Sequence, residues 1–295
     1  MKIINVIKFS ALCIVAALLV AVAYFTSFQT ESDCLEITFL DVGQGDCAYI
    51  KTPDNYRMMI DSGDKGSYEN YIKPFLGKRR VEKLDAAVIS HFHEDHFSGI
   101  YEMIGEKQID KVYVPLMEKQ DFYADMIKEK CDYNGVEYVP TGFAELIYAG
   151  DDDIRIYSLF PADFLYNEED DESGNNVAII LMVEYKHKIF LFTGDVEQDA
   201  ELKLLEYMEL NSDVLKVGHH GSKTSTSDEL LNSVTPEYAV ISCGVNNSYG
   251  FPNEEVLKKL EDCGAKIYRT DLHGDITFTL DKDGNISITT SRQEE

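Results

Sequence analysis

Residues 88–99 read VISHFHEDHFSG, and a six-residue window within them offers four metal-binding side chains: His91, His93, Asp95 and His96. The apolar run LDAAVIS that leads into it reads as a buried strand ending at Ser90. The cluster therefore falls on a strand-to-helix turn, where side chains converge on one point. Two histidines two apart at a strand end can share one ion. An aspartate and a histidine just beyond, where the chain turns into a helix, can hold a second. Neutral imidazoles and a carboxylate suit Zn²⁺, with Mn²⁺ or Fe²⁺ as lesser options. Three of the seven histidines lie in this window, too dense a grouping for solvated surface residues placed by chance.

Composition sets the bounds. A chain of 295 residues, 44% of them hydrophobic, is long enough for one large domain with a sizeable core. Its net charge of −26 repels phosphate backbones, so tight nonspecific nucleic-acid binding is not expected. Catalysis on a phosphate held by metal ions stays open. The six cysteines include no CxxC pair, which argues against a zinc ribbon and against a disulfide framework.

Upstream, residues 9–25 (FSALCIVAALLVAVAYF) carry no charge and lie between Lys2 and Lys8 on one side and Glu31 and Asp33 on the other. As a helix the run would span about 25 Å, just short of a hydrocarbon core of ~30 Å. The flanking charges predict a cytoplasmic N-terminus and export of the rest. Two readings stand: a signal peptide cut after Ala21-Val22-Ala23, giving a secreted protein, or an anchor holding it at the outer face of the cell membrane. Cys34 lacks the residues that precede a lipidated cysteine. The expected organisation is a signal or anchor helix over 1–25, a polar linker over 26–34 and one domain over 35–295.

Inside that domain, strands are expected at 35–40, 48–51 and 57–60, with the loop DVGQGD joining the first two. Its two glycines suit either close approach to a ligand or a plain hairpin turn. The third strand ends at Asp61, a carboxylate before a glycine turn that reads as a helix cap or as an orienter of nearby ligands. Helices are expected over 67–85, after the histidine cluster and over 118–134, and strands over 111–115 and 136–140. A hairpin follows at 144–161, and then the polar loop 167–176. Strands at 177–184 and 189–193 lead to Gly194-Asp195, and His187 sits in the turn between them. A leucine-periodic helix precedes the strand DVLKVG, which delivers His219-His220. Pro252 is expected to open a helix ending near Gly264, and three strands finish the chain. Strands thus alternate with helices in two similar passes, which predicts an α/β layering of two packed sheets with helices outside. Lys216, Ser222, Lys223 and His273 are candidate anion contacts near strand ends, His273 being the one most expected to face the site. The basic run Lys78-Arg79-Arg80 reads as a solvated helix end.

The motifs FLDVGQGD, ISHFHEDH, LFTGD and LKVGHHGS, in this order over residues 35–290, resemble the metallo-β-lactamase fold superfamily. More narrowly they resemble the hydrolase domain of ComEC-type competence proteins. The resemblance implies an αββα sandwich with a two-metal site between the sheets. It implies that His91 and His93 hold the first metal, and Asp95 and His96 the second, with Asp195 bridging them. Spacing leaves open whether His219 or His220 completes the second position; His219, the residue ending the strand, is taken as the ligand and His220 as facing substrate. Asp61 would be an orienter. The superfamily usually supplies one more histidine to the first metal, whereas here Asn175 or Asn176 lies near the expected place. Two Zn²⁺ ions are therefore expected, with Mn²⁺ as the alternative and weaker occupancy at the first position.

The chemistry implied is hydrolysis by metal-activated water, with Asp95 able to accept its proton. The leading expectation is an exported phosphodiesterase. The alternatives are a DNA-uptake accessory protein or nuclease, and then a β-lactamase. The ligand set argues against a non-enzymatic binding module. Specificity is expected to rest on loops 115–150 and 245–252.

Overall fold

A computed structural model describes residues 34–106, 108–117, 120–151, 153–160 and 173–292, together with Ala16 and Leu18. All of the apolar run 9–25 except Ala16 and Leu18, nearly all of the linker 26–34 and the acidic part of loop 167–176 lie outside the described residues. Among the described residues no helix is long and apolar enough to cross a membrane.

The first half of the chain builds one mixed sheet. Strands β1 (Leu35–Phe39), β2 (Ala48–Lys51) and β3 (Arg57–Ile60) pair antiparallel. Strands β4 (Ala86–Val88), β5 (Lys111–Pro115) and β6 (Glu137–Thr141) then extend it in parallel. The second sheet grows from β7 (Glu145–Ala149), β8 (Arg155–Phe160), β9 (Ile180–Tyr185) and β10 (Lys188–Phe192), all antiparallel neighbours. It continues in parallel through β11 (Val214–Lys216), β12 (Tyr238–Ile241) and β13 (Lys266–Arg269). The last hairpin, β14 (Ile276–Leu280) and β15 (Ile286–Thr290), crosses back to pair with β1. The final order is β15-β14-β1-β2-β3-β4-β5-β6 facing β13-β12-β11-β10-β9-β8-β7.

Alternation along the strands sorts the apolar residues into layers. Ile37, Phe39, Val183, Phe190 and Phe278 belong to the core between the sheets. The outer face of the first sheet packs Tyr49, Met59 and Val112 against α1 (Lys73–Lys78), α2 (Glu94–Gly105) and α3 (Phe122–Asn134). The outer face of the second packs Leu191, Leu215 and Ile241 against α4 (Gln198–Tyr207), α5 (Asp228–Val234) and α6 (Glu254–Asp262). The architecture is an α/β sandwich of two mixed sheets.

Several boundaries differ from the sequence expectation for local reasons. The helix expected over 67–85 is a π-turn (Tyr68–Ile72) running into the short α1, and the chain then turns at Arg80, whose φ is 55°. α3 starts late because Asp121 caps it, accepting a hydrogen bond from Ala124 N. The helix expected from Pro252 begins at Glu254, because Asn253 supplies the cap. Residues 177–179 precede β9 rather than belong to it. There Ile179 N donates to Ser90 O at 2.8 Å, which ties the second sheet to the histidine segment.

Candidate metal centre

The site forms where strand ends from both sheets meet. Asp61 follows β3 and His91 follows β4. Asp195 follows β10, and His219-His220 follow β11. His93 caps α2 in an extended conformation, so Asp95 and His96 start the helix and turn back toward the strand end. Glu94 and Asp95 in its first turn also complement the positive end of the helix dipole. After β11 both histidines take left-handed backbone angles, φ 48° at His219 and 54° at His220. Gly221 must follow, because a Cβ there would lie 2.6 Å from the Cβ of Pro252.

Asp195 is the hub. Its Oδ2 lies 3.3 Å from His96 Nε2, 3.5 Å from His220 Nε2, 3.8 Å from His219 Nε2 and 4.0 Å from His91 Nε2. Asp95 reaches the same centre, 3.4 Å from His220 Nε2 and 3.9 Å from His96 Nε2. His91 Nε2 and His93 Nδ1 approach to 2.9 Å at the open side. Yet His96 Nε2, His220 Nε2 and Asp195 Oδ1 are buried with no hydrogen-bond partner. Buried nitrogen and oxygen atoms that converge without bonding one another leave desolvation uncompensated, and a shared cation would supply what they lack.

His91, His96 and Asp195 form one group able to hold an ion, and Asp95, His96 and His220 another. The two groups share His96, and with Asp195 between them the arrangement is consistent with a binuclear site. The donors fit a divalent metal of the imidazole- and carboxylate-binding kind.

Burial and mutual charge shift the titration of these groups strongly. Burial, helped by the nearby His96 charge, holds the His91 imidazole well below its usual range, so it is neutral and able to ligate. Burial works against protonation of His96 too, but Asp195 and Asp61 outweigh it and hold that ring well above the ordinary histidine range. For His220 the same contest, won by Asp195 and Asp46, ends at about 10. Burial alone would raise the Asp195 carboxyl, but His96 and His220 outweigh it and keep it well below the usual carboxylate range.

Asp61 sits behind His96. Its Oδ1 accepts from Ser90 N at 2.7 Å, and its Oδ2 accepts from Ser90 Oγ at 2.7 Å and faces His96 Nδ1 at 2.9 Å. That arrangement aims Nε2 at Asp195.

The two histidines after β11 are placed differently from each other, and the groups able to hold an ion include His220. His220 is buried against Asp95 and Asp195, whereas His219 is 23% exposed in its side chain and its Nδ1 faces Thr224 Oγ1 at 3.3 Å. The left-handed turn swings the second ring, not the first, into the centre.

Other candidates fall elsewhere. Lys216 is buried and pairs with Asp46 Oδ2 at 2.7 Å, so it is not an open anion contact. Asn176 Oδ1 accepts from Glu197 N at 2.8 Å, fastening the 173–176 loop to the start of α4. Asn175 Oδ1 beside it is buried without a hydrogen-bond partner. Ser222 Oγ bonds to Thr224 Oγ1 at 3.1 Å, and the Lys223 carbonyl accepts from Gln198 Nε2 at 3.1 Å. His273 lies in the one-turn helix α7 (Thr270–His273), where its Nδ1 meets Arg269 N at 3.0 Å and Arg269 O at 2.9 Å, apart from the ion-binding groups.

Sequence reasoning missed Asp46. Together with Asp195 and His220, and again with Asp61 and His96, it completes two further buried groups of potential ligands. The signal was the second glycine of DVGQGD. Gly45 has φ 105° and a Cβ there would sit 2.2 Å from Asp95 O, so only glycine lets this loop reach the metal-binding turn.

Comparison with known proteins agrees with this geometry. The sequence profile of the metallo-beta-lactamase superfamily matches residues 40–156. ComE operon protein 3 of Bacillus subtilis (strain 168) is 27% identical over 260 residues, covering 82% of this chain and 33% of that protein. Competence protein ComA of Neisseria gonorrhoeae is 30% identical over 268 residues, covering 89% of this chain and 35% of its own length. The chain thus spans about a third of these curated relatives. Among solved structures, the metallo-beta-lactamase fold protein YhfI from Bacillus subtilis superposes with a TM-score of 0.54 at 12% identity, covering 79% of this chain and 96% of that one. CmlA, a diiron beta-hydroxylase from Streptomyces venezuelae, gives 0.55 at 16% identity over 83% of this chain and 53% of its own. At such identities the structural matches speak for the fold alone. The sandwich, the His/Asp cluster and these relatives together make the chain a metallo-β-lactamase superfamily protein related to the ComE operon protein 3 and ComA competence proteins.

Proposed function

We propose that this protein is a metal-dependent hydrolase acting on phosphodiesters. The observation that carries the reading is the convergence of His91, His96, His220 and Asp95 on Asp195, with three buried ligand atoms left unpaired. A divalent metal bound there would supply water acidic enough to ionise near neutral pH and a counter-charge for a phosphate oxygen. Zn²⁺ suits the imidazole-rich set, with Mn²⁺ as the alternative. Around it the chain's own groups divide the work. Asp95, His96 and His220 would hold an ion as one group, and His91, with His93 beside it, would do so together with His96 and Asp195. Asp95, kept strongly acidic by His220 and His96 against the opposing effect of burial, stays ionised and serves as a ligand more readily than as a base. His219, at the solvent border with Nε2 free of hydrogen bonds to the cluster, is placed to give a proton to the leaving oxygen.

The competence-related relatives favour a phosphodiester over a β-lactam, and they also favour nuclease action on a DNA strand as the second reading. The charge of −26 supports transient rather than tight contact with nucleic acid. The apolar run 9–25 supports export, with the domain anchored at or released from the outer face of the membrane. The test is hydrolysis of bis(p-nitrophenyl) phosphate, single-stranded DNA and a chromogenic cephalosporin by the Zn²⁺- or Mn²⁺-loaded protein. Metal-dependent diester cleavage supports the reading, and cephalosporin turnover alone overturns it.

A further inference from the structure

Lys216 is a charged residue in an apolar layer. On β11 Val214 belongs to the core between the sheets and Leu215 to the outer core. Alternation therefore turns Lys216 inward, where it is 3% exposed. An ammonium there gives up its hydration, a cost that an ion pair seldom recovers in stability. Its ammonium meets Asp46 Oδ2 at 2.7 Å and the Val217 carbonyl at 2.9 Å. Asp46 is itself 5% exposed, so the ammonium and the carboxylate face each other out of water.

The pair leads to one target. Asp46 Oδ1 lies 3.2 Å from His220 Nδ1 without forming a hydrogen bond, while that nitrogen lies 3.1 Å from the Ser242 carbonyl and donates to it. The Nδ1 side of the ring is thus clamped between a carbonyl and a fixed negative charge. Its Nε2 side is turned to Asp95 and Asp195. Groups behind a ligating imidazole fix its tautomer and strengthen it as a donor.

We propose that Asp46, held in place by Lys216, is a positioning residue that orients His220 and strengthens it as a metal ligand. The pair's stability cost is then offset by ligand geometry. This role rests on the metal-site reading and is independent of the substrate. Lys216 serves by neutralising Asp46 and tethering its second oxygen. Without that tether the carboxylate is free to swing toward the ion-binding group it forms with Asp195 and His220.

The test is Zn²⁺ affinity by chelator competition on the purified full-length protein, its Asp46→Asn variant and the Asp46→Asn/Lys216→Met double variant, each with a thermal unfolding curve. The single variant leaves a buried ammonium unpaired and is expected to melt earlier; the double variant removes both charges and is expected to melt near the native temperature. Both are expected to bind the more tightly held Zn²⁺ about 10–100-fold more weakly than the native protein. Native affinity in the Asp46→Asn variant, affinity restored in the double variant, or failure of the double variant to fold would each overturn the positioning role. A native protein that binds no Zn²⁺ would instead overturn the metal-site reading beneath it.

Discussion

Asp61 Oδ2 lies 2.9 Å from His96 Nδ1, while the opposite nitrogen of the same ring faces Asp195 Oδ2 at 3.3 Å without a hydrogen bond. The ring is thus gripped on one edge and left with an open donor on the other. Because Asp61 also takes both Ser90 N and Ser90 Oγ, an asparagine cannot reproduce its contacts: one end of the amide is a donor facing a donor. Asp61→Asn is expected to cost about 1–3 kcal/mol of stability and to weaken metal binding by about tenfold or more. Denaturant unfolding and chelator competition measure the two effects separately.

Metal loading should release protons. His220 in the ion-free protein is raised from 6.5 to about 10, against the pull of burial, by Asp195 and Asp46. The folded value exceeds the unfolded one, so this pairing stabilises the ion-free fold fully below pH 6.5 and is lost as pH rises through about 10. At pH 7 an arriving cation must displace that proton, and its affinity must climb with pH toward the same limit. Calorimetric titration with Zn²⁺ in two buffers of different ionisation enthalpy is expected to show net proton release. Equal apparent enthalpies in the two buffers would contradict it.

Gly45→Ala tests how closely the DVGQGD loop is pressed to the metal-binding turn. The added methyl would meet the Asp95 carbonyl at 2.2 Å on a residue with φ 105°. The loop or the start of α2 must move, at a cost of about 2 kcal/mol or more. Thermal unfolding checks the stability, and metal affinity is expected to fall with it because Asp95 is displaced.

The loop after β12 borders His219. Asn247 pins it through Nδ2 to the Gly244 and Phe251 carbonyls and accepts from Phe251 N. Tyr249, 66% exposed, stacks on Phe251 at 5.6 Å between ring centres, and Phe251 packs edge-on to His219 at 5.8 Å. Tyr249→Ala is expected to raise KM several-fold for an aromatic diester while leaving kcat and metal content near native; Tyr249→Phe should keep the native KM. Steady-state kinetics on bis(p-nitrophenyl) phosphate separates the cases.

Much of this was legible because the ligands lie at strand ends, and strand ends show in the hydrophobic pattern. LDAAVIS announced β4, and His91, His93, Asp95 and His96 follow it too closely to point to separate places. LFTGD and LKVG located Asp195 and the histidine pair in the same way. The choice between His219 and His220 was not legible: two successive left-handed residues set the ring directions, and strand alternation no longer applies beyond Lys216. Asp46 escaped notice because its partners, Lys216, His220 and the turn at Asp95, come from distant parts of the chain. Lys216 was read as an anion contact because lysine at a strand end is ordinarily solvated. Its inward position follows only once both faces of β11 are covered. His273 looked suited to the site by its place before the last strands, but a one-turn helix folds it back onto Arg269.

The most direct test compares the native protein with His220→Ala and His219→Ala variants, measuring bound metal per chain alongside bis(p-nitrophenyl) phosphate hydrolysis. His220→Ala is expected to lose bound metal and activity together, while His219→Ala is expected to keep its metal and lose turnover by about 10²-fold or more. Native metal content and activity in His220→Ala, or loss of metal in His219→Ala alone, would contradict that expectation.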